Sequence, residues 1–326
     1  MNKPVSSVLP AAWQGWVWQG GESAQHLRQT TINAMPLQPG EVLVQNAAIA
    51  LNPVDWKVLD SQTGLVPGVD GAGTVVAVGR GVTESWLGKR VAYHQNLRAA
   101  GSFAGYTPLA ADVLMQLPDA LEFAQAAAFP CPGLTAWQAL EKLPTQPGAE
   151  LLIAGAGGSV GHYLVQLAVA RGFRVTAMCS ERHWSRLSEL GAQRCLTNRE
   201  QIASPANSPR YFALIDCVGA EHARALTDLL KANGHLVCIQ GRVEDWPCAP
   251  FGRALSMHEV ALGALHQHGD ASDWQKLTAS GEQLLQQIAS GTLKQETLLH
   301  FSFAQLPQQL DALKHRNFSG KQIILL

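Results

Sequence analysis

Leu151-Leu152-Ile153-Ala154 is an apolar run without alternation, the pattern of a strand buried on both faces of a parallel sheet. A glycine cluster follows at Gly155–Gly158. Beyond it Val160, Leu164 and Leu167 recur at helical spacing, which predicts a helix over 159–171. The same alternation runs from about residue 126 to 240. Helices are predicted over 124–128 and 134–142, with a Pro-Cys-Pro-Gly break between them. Strand 150–156, helix 159–171, strand 174–180, helix 182–190, a weak strand near 193–197, strand 212–217, helix 221–232 and strand 234–240 follow. A βαβα alternation with apolar strands predicts a doubly wound parallel sheet.

Residues 13 to about 125 read differently. Short β-prone runs at 13–18, 41–51, 73–78 and 89–93 are separated by Gly20-Gly21, Pro39-Gly40, Pro67-Gly68 and Gly79-Arg80-Gly81, which predicts a small barrel-like domain. Towards the other end, 203–210 reads as a surface loop. The segment 242–253, with Trp246, Pro247, Pro250 and Phe251 at no clear period, reads as a loop able to cover a pocket. A strand over 257–264 and an amphipathic helix over 271–290 come next, the latter with Leu277, Leu284, Leu285 and Ile288 on one face. The pattern ends β-α-β, with a strand over 298–303, a helix over 304–315 and a strand over 322–326, expected to return to the first domain. The domain boundaries fall near 125 and 265.

Composition narrows the function classes. A chain of 326 residues, 47% hydrophobic and 15% charged, has enough apolar material for two cores. A net charge of −1 with no basic tract speaks against nucleic acid as a partner. No apolar run approaches the roughly 20 residues of a membrane helix. The first ten residues lack a charged stretch followed by an apolar one, so a cytoplasmic location is expected. The cysteines at 131, 179, 195, 217, 238 and 248 form no C-x-x-C pair and are expected as reduced thiols.

The glycine turn carries the first chemistry. Its spacing is Ala156-x-Gly158-x-x-Gly161, with Ala at the place of the first Gly in the dinucleotide fingerprint. Strand, turn and helix start make a pyrophosphate site from Ala156, Gly158, Ser159, Val160 and Gly161. The acidic residue that normally bonds the adenine ribose is replaced by Ser180, and Arg182, His183 and Arg186 follow, suited to a 2′-phosphate. This favours NADPH; Glu181, able to take the acid role, argues for NADH. A short-chain dehydrogenase mechanism needs Tyr-x-x-x-Lys, and none of Tyr93, Tyr106, Tyr163 or Tyr211 has lysine four residues on.

Four motifs in order, Ala50-Leu51-Asn52-Pro53-Val54-Asp55-Trp56-Lys57, Pro67-Gly68-Val69-Asp70-Gly71-Ala72-Gly73, Pro132-Gly133-Leu134-Thr135-Ala136-Trp137 and the Ala156 turn, resemble the medium-chain dehydrogenase/reductase superfamily. Within it they resemble the zinc-independent quinone oxidoreductase and enone reductase branch. The resemblance covers nearly the whole chain. It implies a GroES-like catalytic domain over 1–125, a Rossmann NADPH-binding domain over 126–265, and a return to the catalytic domain over 266–326. It further implies NADPH in the cleft between the domains and a homodimer. Zinc-dependent members hold the metal with two thiolates and an imidazole; the matching positions here are Asn52, Val69 and Cys131, which predicts no metal.

By family position the further cofactor contacts are Thr135, Cys217, Val218, Gln240 and Gly241, with the backbone of 318–321 as another candidate. Hydride transfer without a metal needs an activated acceptor, a quinone or an α,β-unsaturated carbonyl, and a donor for the oxygen that gains charge. The resemblance assigns that work to Asn52 and Lys57. Trp56, Tyr93, His94, Trp246 and Phe251 are expected to line the substrate pocket. The alternatives are an enoyl-thioester reductase and, from another class, an NADPH-binding sensor or structural protein with little turnover.

Overall fold

A computed structural model describes residues 10–202, 211–316 and 318–326. The loop expected over 203–210 lies outside the described residues, as do the first nine residues. The chain divides into two compact units. One holds the chain up to Cys131 with Gly263–Thr292 and Glu296–Leu326; the other holds Pro132–Leu262 with Leu293–Gln295.

The second unit is built on a six-stranded sheet in the spatial order Arg194–Leu196, Arg174–Met178, Glu150–Ala154, Tyr211–Asp216, Leu230–Cys238 and Ser256–Glu259. Every neighbouring pair is parallel. Leu151, Leu152, Ile153 and Ala154 have no exposed surface, as their unbroken apolar run requires. Strand order reverses between Glu150–Ala154 and Tyr211–Asp216, the place where such sheets leave a crevice at their C-terminal edge.

Three predicted elements differ, and the first is the strand expected over 257–264, which stops at Glu259 and gives way to a 3-10 turn at Leu262–Ala264. The expected helix 221–232 stops at Ala225, because Leu226, Leu230 and Leu236 are drawn into the core and the chain turns early into strand Leu230–Cys238. That strand bulges at Asn233, whose φ is +58° and whose N–H donates to the Arg253 carbonyl at 2.7 Å. The expected Pro-Cys-Pro-Gly break is instead the first turn of helix Pro130–Glu141. Proline is tolerated there because first-turn N–H groups have no partner within the helix.

The first unit carries a seven-stranded sheet. Glu41–Ala50 pairs antiparallel with Asp70–Val78, Tyr106–Ala110 and Lys321–Leu325, and Leu298–Ser302 runs parallel beside the last of these. Asp70–Val78 pairs in turn with Arg90–His94, and that strand with Leu114–Gln116. A separate hairpin joins Ala12–Val17 to Arg28–Asn33. Helix Leu306–His315 buries Leu306 and Leu310 against Trp18, Leu27, Ile49 and Leu59. Among the described residues no helix is long and apolar enough to cross a membrane.

Candidate functional site

In the second unit the turns that follow the central strands converge. Gly155 has φ +74°, a left-handed conformation suited to glycine, and a Cβ there would lie 3.0 Å from Val218 Cγ2 and 3.2 Å from Cys217 Cβ. Gly155 and Ala156 donate their N–H groups to the Met178 carbonyl at 2.9 and 3.2 Å, which holds the turn beside the segment leading to Ser180. Helix Ser159–Ala170 begins immediately after, with Gly158 at its N-cap. A Cβ on Gly161 would lie 2.3 Å from the Ala156 carbonyl oxygen, so helix and turn meet without room for a methyl group.

Asp216 was not among the expected residues, yet it shapes the adjoining turn. It is 1% exposed, accepts N–H bonds from Val218 and Gly219 at 2.8 Å each, and pairs with His222 Nδ1 at 2.6 Å. A carboxylate at a strand end followed by Gly was the available signal. Gln240 and Gly241 are exposed at the end of the next strand, and the Gln240 carbonyl is the nearest group to a Cβ built on Gly219, at 3.8 Å. Thr135 is buried within helix Pro130–Glu141.

Cations collect beside the glycine turn. Arg186 donates to the Gly157 carbonyl at 2.8 Å and contacts His162 Nδ1 at 3.0 Å. His162 Nε2 faces the Lys294 carbonyl at 2.7 Å, so Nε2 carries the hydrogen and Nδ1 accepts from the guanidinium. Arg182 donates to His183 Nε2 at 3.1 Å, and Ser180 and Arg182 are both exposed. Trp246 and Phe251 are 60% and 106% exposed, open to solvent rather than packed in this unit.

In the first unit the polar residues organise around Asp70, which is fully buried. Its Oδ2 accepts from Asn52 Nδ2 and from the Cys131 N–H, each at 2.9 Å. Its Oδ1 pairs with His94 Nδ1 at 3.0 Å and with the same Cys131 N–H at 3.1 Å. The Cys131 N–H is one of the first-turn groups of helix Pro130–Glu141, so the carboxylate stands at a helix N-terminus. Lys321 Nζ donates to Asn52 Oδ1 at 2.5 Å. Asp55, also buried, accepts the Asn52 N–H at 2.7 Å and the Val69 N–H at 3.1 Å.

Burial pushes the Asp55 carboxyl up to about 7; the Asp70 charge acts in the same direction, and Lys321 opposes both. Burial, then Asp70, raises the Cys131 thiol well above its ordinary range. His266, whose ring lies 6.0 Å from that of His94 and 4.7 Å from that of Trp274, is pushed down to about 4 by burial.

Asp70, His94 and Cys131 bring ligand atoms within 4.8 Å of one another. Their donor chemistry suits a hydrogen-bonded cluster better than a metal. Both Asp70 oxygens already accept N–H bonds, which leaves one imidazole nitrogen and one thiol, short of the three protein ligands of a catalytic zinc.

Of the residues expected around the substrate, Asn52 and His94 therefore belong to this cluster. Tyr93 does not. Successive strand residues point to opposite faces, and with His94 turned to Asp70 the Tyr93 side chain is fully buried on the other side. Its hydroxyl bonds Asn46 Oδ1 at 2.7 Å and Thr107 Oγ1 at 3.0 Å, and burial raises its pKa. Lys57 is exposed, its ammonium 5.7 Å from the Trp56 ring, and burial followed by Arg316 lowers its pKa. Trp56 packs against the apolar cluster of Trp18, Leu59 and Leu310 and helps line a cavity of about 250 Å³ with Lys57 and Lys314. Asp70 and the Lys321 side chain were missed. The available signals were an acid amid the small residues of 67–73, and a lone lysine just before the apolar run 323–326.

Residues 38–119 match the alcohol dehydrogenase GroES-like domain. The chain is 31% identical over 236 residues, 67% of its own length and 72% of the relative's, to a protein named chloroplast envelope quinone oxidoreductase homolog from Arabidopsis thaliana. It is 31% identical over 233 residues, 64% and 67% of the two lengths, to a trans-enoyl reductase from Aspergillus japonicus. It is 29% identical over 261 residues, 74% and 66% of the two lengths, to a protein named NADPH-dependent alkenal/one oxidoreductase, chloroplastic, from Arabidopsis thaliana. An alcohol dehydrogenase superfamily protein from Novosphingobium aromaticivorans superposes with a TM-score of 0.82 at 26% identity, covering 96% of this chain and 99% of that one. The quinone oxidoreductase from Coxiella burnetii shares the fold, with a TM-score of 0.80 at 22% identity and 97% and 99% coverage.

Proposed function

Because the chain belongs to the medium-chain dehydrogenase/reductase superfamily, in its quinone oxidoreductase and enone reductase branch, we propose that it is an NADPH-dependent, zinc-independent reductase of quinones or α,β-unsaturated carbonyls. The observation that carries the reading is the glycine turn at the switch point of the parallel sheet, with Arg182, His183 and Arg186 beside it. Backbone N–H groups at the start of helix Ser159–Ala170 would hold the pyrophosphate. Ser180 and Arg182, both exposed, would hold the 2′-phosphate. The turns at Cys217–Val218 and Gln240–Gly241 would bound the nicotinamide end.

When bound, the dinucleotide supplies a hydride; the chain binds and orients it and stabilises the charge that appears on the acceptor. The Asp70 cluster suits that electrostatic task without a metal. The reading includes a homodimer, carried over from the resemblance, and sedimentation of the purified chain tests it.

A second reading, reduction of an enoyl thioester, is favoured by the likeness to the fungal trans-enoyl reductase. Loss of NADPH absorbance with a quinone, a short enone and a crotonyl thioester in parallel ranks the two. Tight NADPH binding with none of the three oxidising it would leave a binding protein and end the reductase reading.

A further inference from the structure

The Asn52 carboxamide has no hydrogen left to offer a substrate. Its Nδ2 donates to Asp70 Oδ2 at 2.9 Å and to the Ala50 carbonyl at 3.3 Å, and its Oδ1 accepts from Lys321. An amide nitrogen has two hydrogens, and both are committed. Lys321 is the reverse case. Its ammonium has three hydrogens and, among the described residues, makes one side-chain hydrogen bond, to Asn52 Oδ1 at 2.5 Å. The residue is 5% exposed, and the two nearby carboxylates, Asp55 and Asp70, are fully buried with their oxygens occupied by other donors. A buried ammonium with uncommitted hydrogens is costly to keep unless an acceptor arrives.

We propose that Lys321 is the electrophilic donor of this site, its ammonium receiving the oxyanion that forms on the acceptor carbonyl during reduction. The proposal rests on the reductase reading above. In an enone, hydride brings its electron pair to the β-carbon and a C–H bond forms there. The alkene π pair becomes the new bond between the α-carbon and the carbonyl carbon, and the carbonyl π pair moves onto oxygen. The acceptor is reduced by that one hydride, and its donor is oxidised by the same amount. A proton from water then closes the α-carbon. With a quinone the shift ends on a phenolate oxygen. Lys321 loses no proton; it lends hydrogen bonds and charge from a fixed position, so no solvent reorganisation is needed as charge builds. Asn52 becomes a positioning residue that aims Nζ, and Asp70 holds Asn52.

The test compares wild type, Lys321→Met and Lys321→Arg, each checked for folding by circular dichroism and for NADPH affinity by fluorescence titration. kcat is measured with a quinone and an enone. Binding of para-nitrophenolate, a stable oxyanion mimic, is followed by its absorbance shift. Lys321→Met is expected to lose about 10²–10³-fold in kcat and to weaken phenolate binding at least tenfold, with NADPH affinity unchanged. Lys321→Arg, which keeps the charge, should recover most of both losses. A folded Lys321→Met with wild-type kcat and phenolate affinity overturns the proposal while the reductase reading stands. If wild type oxidises NADPH with neither acceptor, the reductase reading falls and the proposal with it. Should the methionine variant fail to fold, the arginine variant decides: phenolate affinity and kcat near wild type support the proposal, and loss of both in a folded protein overturns it.

Discussion

Gly161→Ala is the sharpest perturbation of the dinucleotide turn. The new methyl carbon would stand 2.3 Å from the Ala156 carbonyl oxygen and 2.5 Å from the Ala156 carbonyl carbon and Cα. A carbon–oxygen contact settles at about 3.3–3.6 Å, so helix and turn must separate by roughly 1 Å. The obstruction is backbone, and no rotamer relieves it. Overpacking of this kind costs about 1–3 kcal/mol, or about 2–12 °C in the melting temperature at roughly 2–4 °C per kcal/mol for a unit of this size. In the proposed reading, where the turn holds the pyrophosphate, the same displacement moves the helix N-terminus away from it. Cofactor affinity should therefore fall at least about tenfold, the equivalent of about 1.4 kcal/mol. Differential scanning calorimetry and an NADPH titration read the two effects separately. Gly263→Ala, whose new Cβ meets nothing within 4 Å, is the control and should leave both unchanged. A Gly161→Ala protein that melts and binds NADPH like wild type would refute the close-packing account of the turn.

Four further outcomes are expected. Asp55 titrates near 7 when folded and near the ordinary carboxyl value when unfolded, so the folded state holds a proton that the unfolded state releases between about pH 4 and 7. Its contribution is fully present below that window and is lost as pH rises through 7. Asp55→Asn should flatten this slope in chemical denaturation at pH 5 and 8, and an unchanged slope assigns it elsewhere. Tyr93→Phe leaves the buried Asn46 Oδ1 without its 2.7 Å donor and should cost about 1–3 kcal/mol of stability with kcat unaltered; a drop in kcat at full cofactor saturation would return Tyr93 to the substrate site. Arg182→Ala should lower the preference for NADPH over NADH by about 10–100-fold if the guanidinium meets the 2′-phosphate, and an unchanged ratio of kcat/KM removes it from that role. Exhaustive chelation should leave NADPH oxidation intact, whereas loss of activity restored by zinc would mean that Cys131 and His94 hold a metal after all.

Local features were the legible ones. The apolar run 151–154, the glycine turn and the helix after it lie within a few residues of one another, so composition and spacing sufficed. Helix Pro130–Glu141 was misread at its start because two prolines look like a break until their place in the first turn is known. Tyr93 and His94 show what adjacency hides, since neighbouring strand residues face opposite sides and only the pairing with Asp70–Val78 decides which side holds the chemistry. The Asp70 cluster draws on residues 52, 55, 94, 131 and 321, whose meeting depends on sheet register and on a strand arriving from the far end of the chain. No local pattern carries that information.

That late strand also sets an order of events. Lys321 and Asn52 are 269 residues apart, and strand Lys321–Leu325 completes the sheet beside Glu41–Ala50. During synthesis the second unit has nearly its whole sequence available before this closing strand emerges, while the first must wait with Asp55 and Asp70 facing no ammonium. Contacts at such separation are slow to form, and an unpaired sheet edge is exposed to association until they do. The first unit should thus be the last to acquire protection in pulse-labelled hydrogen exchange, and its buried charges become balanced only in that final step.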